Sequence, residues 1–87
     1  MKSAKPKIKI TIYSTPICHY CVMLKEWLDE QKIRYTDYDV SEDQEKANEM
    51  IEISGQMGVP VTVVEINGEE QVLIGFDREA FKKILGV

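Results

Sequence analysis

The sequence predicts an α/β fold in which a mixed four-stranded sheet carries helices on both faces. Three observations lead to this prediction. An alternating apolar run from Ile8 to Tyr13 precedes a stretch of helical periodicity, the pattern of a strand that leads into a crossover helix. Two later strand-like runs are joined by Asn67 and Gly68, a dipeptide well suited to a two-residue hairpin turn. A third amphipathic stretch then follows Asp77 and closes the chain.

Length and composition restrict the classes of function. A chain of 87 residues with 44% hydrophobic and 30% charged residues corresponds to one globular domain. The formal net charge of -4 gives no reason to expect a nucleic acid partner, because phosphate binding requires clustered Lys and Arg. No apolar run approaches the roughly 20 residues of a membrane helix, so no membrane association is expected. We expect a monomer with a short flexible lead at residues 1–7 and a folded domain at residues 8–87.

The first predicted strand ends where Ser14, Thr15 and Pro16 begin a turn. The first helix is expected to begin at Cys18 or His19. Four of its residues share the three- and four-residue spacing of one helix face, which should pack on the sheet: Leu24, Trp27, Leu28 and Gln31.

A second strand is predicted within Ile33 to Val40, and a second helix after it. Ser41 has the character of an N-cap, with Glu42 and Asp43 in the first turn, where the helix dipole favours negative charge. This helix should end near Ser54 and bury a face formed by Ala47, Met50 and Ile51.

The last third of the chain predicts a hairpin and a helix. Strands are expected at Val61 to Ile66 and at Gln71 to Ile74, as antiparallel neighbours across the Asn67 turn. Asp77 should cap the final helix and Gly86 should close it. The residues of this helix expected to point inward are Phe81, Ile84 and Leu85. The order βαβαββα, with parallel first strands joined by a right-handed crossover, is that of a thioredoxin-like domain.

Cys18 and Cys21 form a C-x-x-C pair at the predicted start of the first helix. The thiolate is the form that attacks a disulfide, and unpaired N–H groups at a helix start would lower the pKa of Cys18 from the free value near ~8.5. Cys21 would lie beside Cys18 and further inside the protein. We therefore assign Cys18 as the nucleophile and Cys21 as the resolving thiol of a dithiol exchange. Such a close pair also indicates a reducing compartment, and we expect the cytoplasm.

The same pair has other interpretations. C-x-x-C is also half of a zinc site, but four ligands are normally needed and the one histidine, His19, lies inside the motif. Zinc would therefore require a second chain. A purely structural disulfide is unusual in a reducing compartment. We expect no resident metal and no bound cofactor.

Three short motifs follow one another at Cys18 to Cys21, Gly58 to Pro60 and Gly75 to Asp77. Together, in this order and spacing, they resemble the glutaredoxins, and the likeness spans Ile8 to Leu85. In particular, the chain is similar to the short glutaredoxin-like proteins of bacteria and archaea, including the small redoxins that donate electrons to ribonucleotide reductase.

The resemblance implies roles for five residues besides the cysteines. It implies that the Val59–Pro60 bond is cis and that Val59 offers its backbone to an extended substrate. Tyr20 would form a wall of the substrate groove. Gly75 and Asp77 would belong to a glutathione site in which Asp77 holds the amine. Taken from the residue alone, Asp77 is equally well explained as a helix cap.

Departures from the family pattern weaken the case for glutathione as the reductant. Glutathione-using members have a lysine where this chain has Thr15, and a second glycine where it has Phe76. The missing lysine removes a partner for a carboxylate, and Phe76 would crowd the space of the glycine. His19 stands where the family most often has proline; a protonated imidazole there would stabilise the thiolate, although a solvated residue in the first turn explains it as well. Three further residues are assigned to packing: Trp27, Met50 and Met57.

The predicted function is that of a thiol-disulfide oxidoreductase acting on protein or small-molecule disulfides, with ribonucleotide reductase and peroxiredoxin as candidate partners. Electrons would come from glutathione or from a thioredoxin reductase, and the sequence does not choose between them. Two alternatives remain open. An iron-sulfur cluster carrier, as a glutathione-bridged dimer, would be coloured. A noncatalytic protein-binding domain would work without Cys18.

Overall fold

A computed structural model describes residues 7–87. Its elements are β1 (Ile8–Ser14), α1 (His19–Glu30), β2 (Thr36–Asp39), α2 (Gln44–Ser54), β3 (Val61–Ile66), β4 (Glu69–Ile74) and α3 (Arg78–Leu85). The predicted order of strands and helices is confirmed. Residues 1–6 of the predicted lead lie outside the described residues, so the lead at 1–7 and the domain boundary at residue 8 stay predictions.

The sheet has 4 strands in the order β2-β1-β3-β4. It is mixed, because β1 pairs in parallel with β2 and antiparallel with β3, and β3 pairs antiparallel with β4. Tyr13 is aligned with Val61, and Val61 is aligned with Ile74. The end of β1, the start of β3 and the end of β4 therefore share one end of the sheet. The loop that carries Cys18 leaves from this same end.

Two separate cores confirm the prediction of helices on both faces. Helices α1 and α3 cover one face, where the buried cluster comprises Ile10, Ile12, Leu24, Trp27, Leu28, Val64 and Phe81. Helix α2 covers the other face, where the cluster comprises Tyr13, Met50, Val61 and Val63. No helix within residues 7–87 is both long enough and apolar enough to cross a membrane.

The predicted hairpin turn is confirmed at Asn67 and Gly68, which have φ of 51° and 90°. Positive φ at both central residues gives the turn a twist that matches the flanking strands. The Lys7 N–H donates to Asn67 Oδ1 over 3.1 Å, and the Asn67 N–H donates to the Lys7 carbonyl over 3.0 Å. The last residue of the predicted lead is thus paired with the turn.

The N-cap of α2 is Asp43, so the prediction of Ser41 as the cap is wrong. The Asp43 carboxylate accepts a hydrogen bond from the Lys46 N–H over 3.1 Å, and the Ser41 hydroxyl instead donates to Asp39. Ser and Asp are comparable caps, so residue type alone did not separate the two positions. The acidic residue in the first turn is Glu45.

Other predicted boundaries and faces differ in detail. Gln31 is exposed and serves as the C-cap of α1, where its N–H donates to the Trp27 carbonyl over 3.0 Å, so it is not part of the buried stripe. Ile8 and Ile51 are 39% and 36% exposed, because each lies at the margin of the face that it was predicted to bury. Strand β2 is shorter than the predicted run from Ile33 to Val40, because it begins only at Thr36 and ends at Asp39. Strand β4 is longer than predicted, since it begins at Glu69 and not at Gln71.

Candidate redox site

Cys18 is the N-cap of α1, as its place before the helical periodicity predicted. It has φ of -88° and ψ of 114°, an extended conformation, and its Sγ accepts a hydrogen bond from the Cys21 N–H over 3.1 Å. The Cys18 N–H donates to the Thr15 carbonyl over 3.3 Å, which holds the turn between β1 and α1. None of the residues in the first turn of α1 is acidic. The sulfur of Cys18 therefore lies in the positive potential of the helix N-terminus, and no acidic side chain in the first turn of α1 reduces that potential.

The two cysteines are joined as a disulfide, with their Cα atoms 5.2 Å apart. Their environments differ. Cys21 is 0% exposed, whereas Cys18 is partly exposed. A reactant coming from solvent can reach the sulfur of Cys18 and is kept from that of Cys21 by the protein around it.

The segment before β3 forms the second part of the site. The Val59–Pro60 peptide bond is cis, as the resemblance implied. The Pro60 carbonyl accepts a 2.8 Å hydrogen bond from the Gly75 N–H, and Gly75 has φ of +80°, a conformation that favours glycine. This bond joins the start of β3 to the end of β4 at the same end of the sheet as Cys18.

Val59 differs from the residues that follow it in β3. Val59 belongs to no helix or strand. Within the part of the chain that the structure describes, neither its N–H nor its carbonyl makes a main-chain hydrogen bond. The backbone of Val59 is thus available to pair with another extended chain, in the manner of an added strand.

Asp77 is the N-cap of α3, as predicted. Its Oδ1 accepts hydrogen bonds from the N–H groups of Glu79 over 3.1 Å and Ala80 over 3.4 Å. The Phe76 ring turns inward and packs between helices, with its centroid 6.1 Å from that of Trp27 and 5.9 Å from that of Phe81. A role for Asp77 in holding a glutathione amine stays a prediction.

Comparison with known proteins agrees with this geometry. The family model for glutaredoxin matches residues 10–70. The chain belongs to the glutaredoxin family. A glutaredoxin-like 8.6 kDa protein of the rubredoxin operon in Clostridium pasteurianum is 37% identical over 76 residues, which is 87% of this chain and 96% of that protein.

Solved structures show that this glutaredoxin-family chain has the thioredoxin-like fold. The thioredoxin-like protein BC3987 aligns with a TM-score of 0.73 and 29% identity over 86% of this chain and 97% of that one. The glutaredoxin of Archaeoglobus fulgidus aligns with a TM-score of 0.74 and 20% identity over 87% and 84% of the two chains. Methanoredoxin of Methanosarcina acetivorans aligns with a TM-score of 0.73 and 24% identity over 91% and 85%.

Exposed apolar side chains lie next to Cys18 in sequence and at the end of the sheet from which its loop leaves in this glutaredoxin-family fold. Ile17 is 94% exposed and Tyr20 is 59% exposed, on either side of Cys18 in sequence. Met57 is 78% exposed and Ile74 is 56% exposed, near the start of β3 and at the end of β4. The assignment of Met57 to packing is wrong, because this residue lies in the loop after α2 and not on its inward face. The corresponding assignment of Met50 and Trp27 is confirmed.

A polar network beside the site was not foreseen from the sequence. The buried Ser14 hydroxyl donates to Asp37 Oδ1 over 2.6 Å, and Lys25 Nζ lies 2.9 Å from Asp37 Oδ2 and 3.4 Å from Ser14 Oγ. These residues come from β1, β2 and α1, and their pairing has no sequence signal because it requires the strand register. The network attaches α1 to the end of β1 and to β2.

A second network lies on the α2 face. The buried Tyr13 hydroxyl donates to Glu49 Oε1 over 2.7 Å, and Lys46 Nζ lies 3.2 Å from Glu49 Oε2 and 4.2 Å from the centre of the Tyr38 ring. Burial is the main cause that raises the pKa of Tyr13, and the hydrogen bond to Glu49 raises this pKa further. The hydrogen bonds from Tyr13 and Lys46 lower the pKa of Glu49. Among residues 7–87, no group of three or more His, Cys, Asp or Glu side chains is arranged to hold a metal ion.

Proposed function

We propose that this glutaredoxin-family protein is a thiol-disulfide oxidoreductase that reduces disulfides by a dithiol mechanism in the cytoplasm. The observation that carries the proposal is the difference between its two cysteines. Cys18 is partly exposed at the N-cap of α1, whereas Cys21 is fully buried one helical turn further on. Cys18 is therefore the nucleophile, and Cys21 is the resolving thiol.

The reaction begins with the reduced dithiol protein. The Cys18 thiolate attacks one sulfur of a substrate disulfide, forms a mixed disulfide and releases the other substrate sulfur as a thiolate. The Cys21 thiolate then attacks Cys18 Sγ, closes the bond between Cys18 and Cys21 and releases the second substrate sulfur. Two electrons pass from the dithiol to the substrate, and solvent protonates the two released thiolates. The main-chain N–H of Cys21, which bonds to Cys18 Sγ in the disulfide form, stabilises the Cys18 anion in the dithiol form.

Substrate binding is supported by the backbone of Val59 and by the apolar residues around the disulfide. An extended segment of substrate can form strand-like hydrogen bonds with Val59. Ile17 and Tyr20, which flank Cys18 in sequence, and Met57, two residues before Val59, provide exposed apolar surface. Both features favour a polypeptide that carries a disulfide over a small, highly charged disulfide.

We propose two candidate electron donors and two candidate partners. Glutathione or a thioredoxin reductase would supply the two electrons that return the protein to the dithiol form, without a tightly bound cofactor. Ribonucleotide reductase and peroxiredoxin are candidate substrates, since both form disulfides during turnover. The position of the Clostridium pasteurianum relative in a rubredoxin operon supports partners that take part in electron transfer.

A trapping experiment tests the assignment of the two cysteines. The reduced protein and its Cys18→Ser and Cys21→Ser variants are each mixed with a peptide that contains one disulfide, in the absence of other thiols. The wild-type protein should release about one equivalent of reduced peptide, as a single dithiol turnover requires. Cys21→Ser should accumulate a covalent adduct with the peptide, visible by mass spectrometry, and Cys18→Ser should give neither product.

The trapping experiment has a clear opposite outcome. An adduct that forms on Cys21 in the Cys18→Ser variant at the wild-type rate would reverse the roles. Reduction of the peptide by the variant that lacks Cys18 would remove the proposal. The donor is then identified by supplying glutathione with its reductase, or NADPH with a thioredoxin reductase, because only the true donor sustains repeated turnover.

A further inference from the structure

The hydroxyl of Thr62 is a buried polar group that the mechanism above does not use. Thr62 lies in β3, two residues after Pro60, and is 0% exposed. Within residues 7–87, its Oγ1 is a buried side-chain oxygen with no hydrogen-bond partner. Buried hydroxyls are nearly always paired, because a lost partner destabilises the state in which the group is unpaired. The structure that carries this unpaired group is the disulfide form.

The strand register places the Thr62 side chain on the face of the sheet that α1 covers. Thr62 is aligned with Ile12 of β1 and with Leu73 of β4. Ile12 belongs to the buried cluster beneath α1 and α3, and Leu73 packs against that cluster. Side chains of directly opposed residues in a sheet lie on the same face. The hydroxyl therefore lies in the layer between the sheet and the two helices α1 and α3.

The path of α1 places Cys21 above the same part of this layer. α1 leaves from the end of β1 and returns toward the start of the parallel strand β2, so its first turns lie over the end of β1. The hydrogen bond from Lys25 Nζ to Ser14 Oγ, over 3.4 Å, agrees with this placement. Cys21 is the first buried residue of α1.

Cys21 and Thr62 thus share one end and one face of the sheet. Leu24, one turn after Cys21, already belongs to the same buried cluster as Ile12, the strand neighbour of Thr62. Both Cys21 and Thr62 are 0% exposed, so solvent does not provide a partner to either side chain.

We propose that Thr62 is a positioning residue whose hydroxyl donates a hydrogen bond to the sulfur of Cys21 when the disulfide is reduced. This inference rests on the dithiol function proposed above. In the disulfide form the sulfur of Cys21 is bonded to Cys18 and is a weak acceptor, and Thr62 is left without a partner. Two electrons open the bond, and the Cys21 sulfur becomes a thiol or a thiolate, the latter a much stronger acceptor. A hydrogen bond that exists in one redox state alone shifts the equilibrium toward that state.

The experiment measures the equilibrium between the disulfide and dithiol forms in buffers of reduced and oxidised dithiothreitol. Thr62→Val removes the hydroxyl with little change of shape, and Thr62→Ser keeps the hydroxyl. Thr11→Val is the control, because Thr11 lies between Ile10 and Ile12 in β1 and therefore on the opposite face of the sheet, where it is partly exposed. Thr62→Val should shift the equilibrium toward the disulfide about tenfold, which is about 30 mV more negative for a two-electron couple. Thr62→Ser and Thr11→Val should remain within about twofold of the wild-type protein, corresponding to less than about 10 mV.

A purely structural role for the hydroxyl predicts a different pattern. In that case Thr62→Val changes the free energy of unfolding equally in the two redox states, and the equilibrium constant does not move. That result, or an equal shift in Thr11→Val, overturns the inference. Because the measurement uses no substrate, it is separate from the trapping experiment. Normal exchange with dithiothreitol together with no effect of Thr62→Val rejects this inference alone, whereas a disulfide that fails to exchange at all rejects the proposed function as well.

Discussion

The backbone N–H of Cys21 donates a 3.1 Å hydrogen bond to the sulfur of Cys18, so that the cysteine side chain itself caps α1. N-cap positions are normally occupied by Ser, Thr, Asp or Asn, whose oxygens accept this bond. A sulfur in this role becomes a better acceptor when it is ionised. The cap thus connects the stability of the helix start to the charge of Cys18.

The first prediction concerns the reactivity of Cys18 in the reduced protein. In the Cys21→Ser variant, alkylation by iodoacetamide should have a midpoint below the value of about 8.5 for a free thiol, because the helix end stabilises the anion. The rate is measured between pH 4 and 10 by mass spectrometry. In the Cys18→Ser variant, the buried Cys21 should react slowly at every pH. A midpoint at or above that of a free thiol would show that the helix start does not activate Cys18.

The second prediction separates the parts of the polar network between α1, β1 and β2. Asp37→Ala should destabilise the protein by about 1–3 kcal/mol, because the buried Ser14 hydroxyl loses its acceptor. Lys25→Ala should cost about 0–1 kcal/mol, since the ion pair with Asp37 is 25% and 31% exposed on its two sides. Urea unfolding at low and high salt measures both.

A double substitution tests whether the Ser14 hydroxyl explains the larger cost of Asp37→Ala. In a Ser14→Ala background, Asp37→Ala should cost less than it does alone, because no hydroxyl is then left unpaired. Equal costs for Asp37→Ala and Lys25→Ala, with or without Ser14, would show that the ion pair alone matters.

The third prediction concerns pH. The hydrogen bonds from Tyr13 and Lys46 lower the pKa of Glu49 in the folded protein, so they contribute stability above the unfolded pKa of about 4.3. This contribution is lost as the pH falls through the lower, folded value. The difference in unfolding free energy between wild type and Glu49→Gln should therefore be constant near neutral pH and shrink below about pH 4.

The raised pKa of Tyr13 acts at the other end of the pH scale. Its contribution to stability is complete below about pH 10 and is lost as the pH rises toward the folded value. As the pH rises above about 10, the free energy of unfolding of Tyr13→Phe should therefore fall less than that of the wild-type protein. For Glu49, the contradicting result is a free energy of unfolding that falls equally in wild type and in Glu49→Gln below about pH 4. That result would contradict the pairing of Tyr13, Lys46 and Glu49.

The fourth prediction separates two roles of Asp77. Asp77→Ala should destabilise the protein by about 1 kcal/mol, because the N–H groups of Glu79 and Ala80 lose their acceptor. Asp77→Asn retains a capping oxygen and should be nearly as stable as wild type. If Asp77 also holds the amine of glutathione, Asp77→Asn should weaken glutathione binding in calorimetry. Unchanged binding in this stable variant would leave Asp77 as a cap alone.

The sequence predicted the features that depend on local chemistry. The alternation of Ile10 with Ile12 identified β1, the Asn67 and Gly68 pair identified the hairpin, and Asp77 identified the start of α3. In each case the backbone conformation follows from the residue itself or from its near neighbours. The position of the cysteine pair at a helix start was predicted for the same reason, because a predicted strand and a turn precede the pair and a helical pattern follows it.

Features that depend on distant residues were not predictable in the same way. The inward turn of Phe76 depends on the space between Trp27 and Phe81, which no spacing in the chain reveals. The pairing of Ser14 with Asp37 and the unpaired hydroxyl of Thr62 require the register of the strands. The cis bond at Pro60 was predicted only from the resemblance to glutaredoxins, since a peptide bond before proline by itself favours the trans form.

Cys18 and Cys21 lie 3 positions apart in one chain segment, and that short span has a mechanical consequence. Making or breaking their bond neither fastens nor releases any other part of the molecule, because both ends belong to the same turn. The sheet and both cores can therefore keep one arrangement whether this bond is closed or open. In the proposed dithiol exchange, a domain of this size would therefore pass through repeated cycles without any loss of its folded structure.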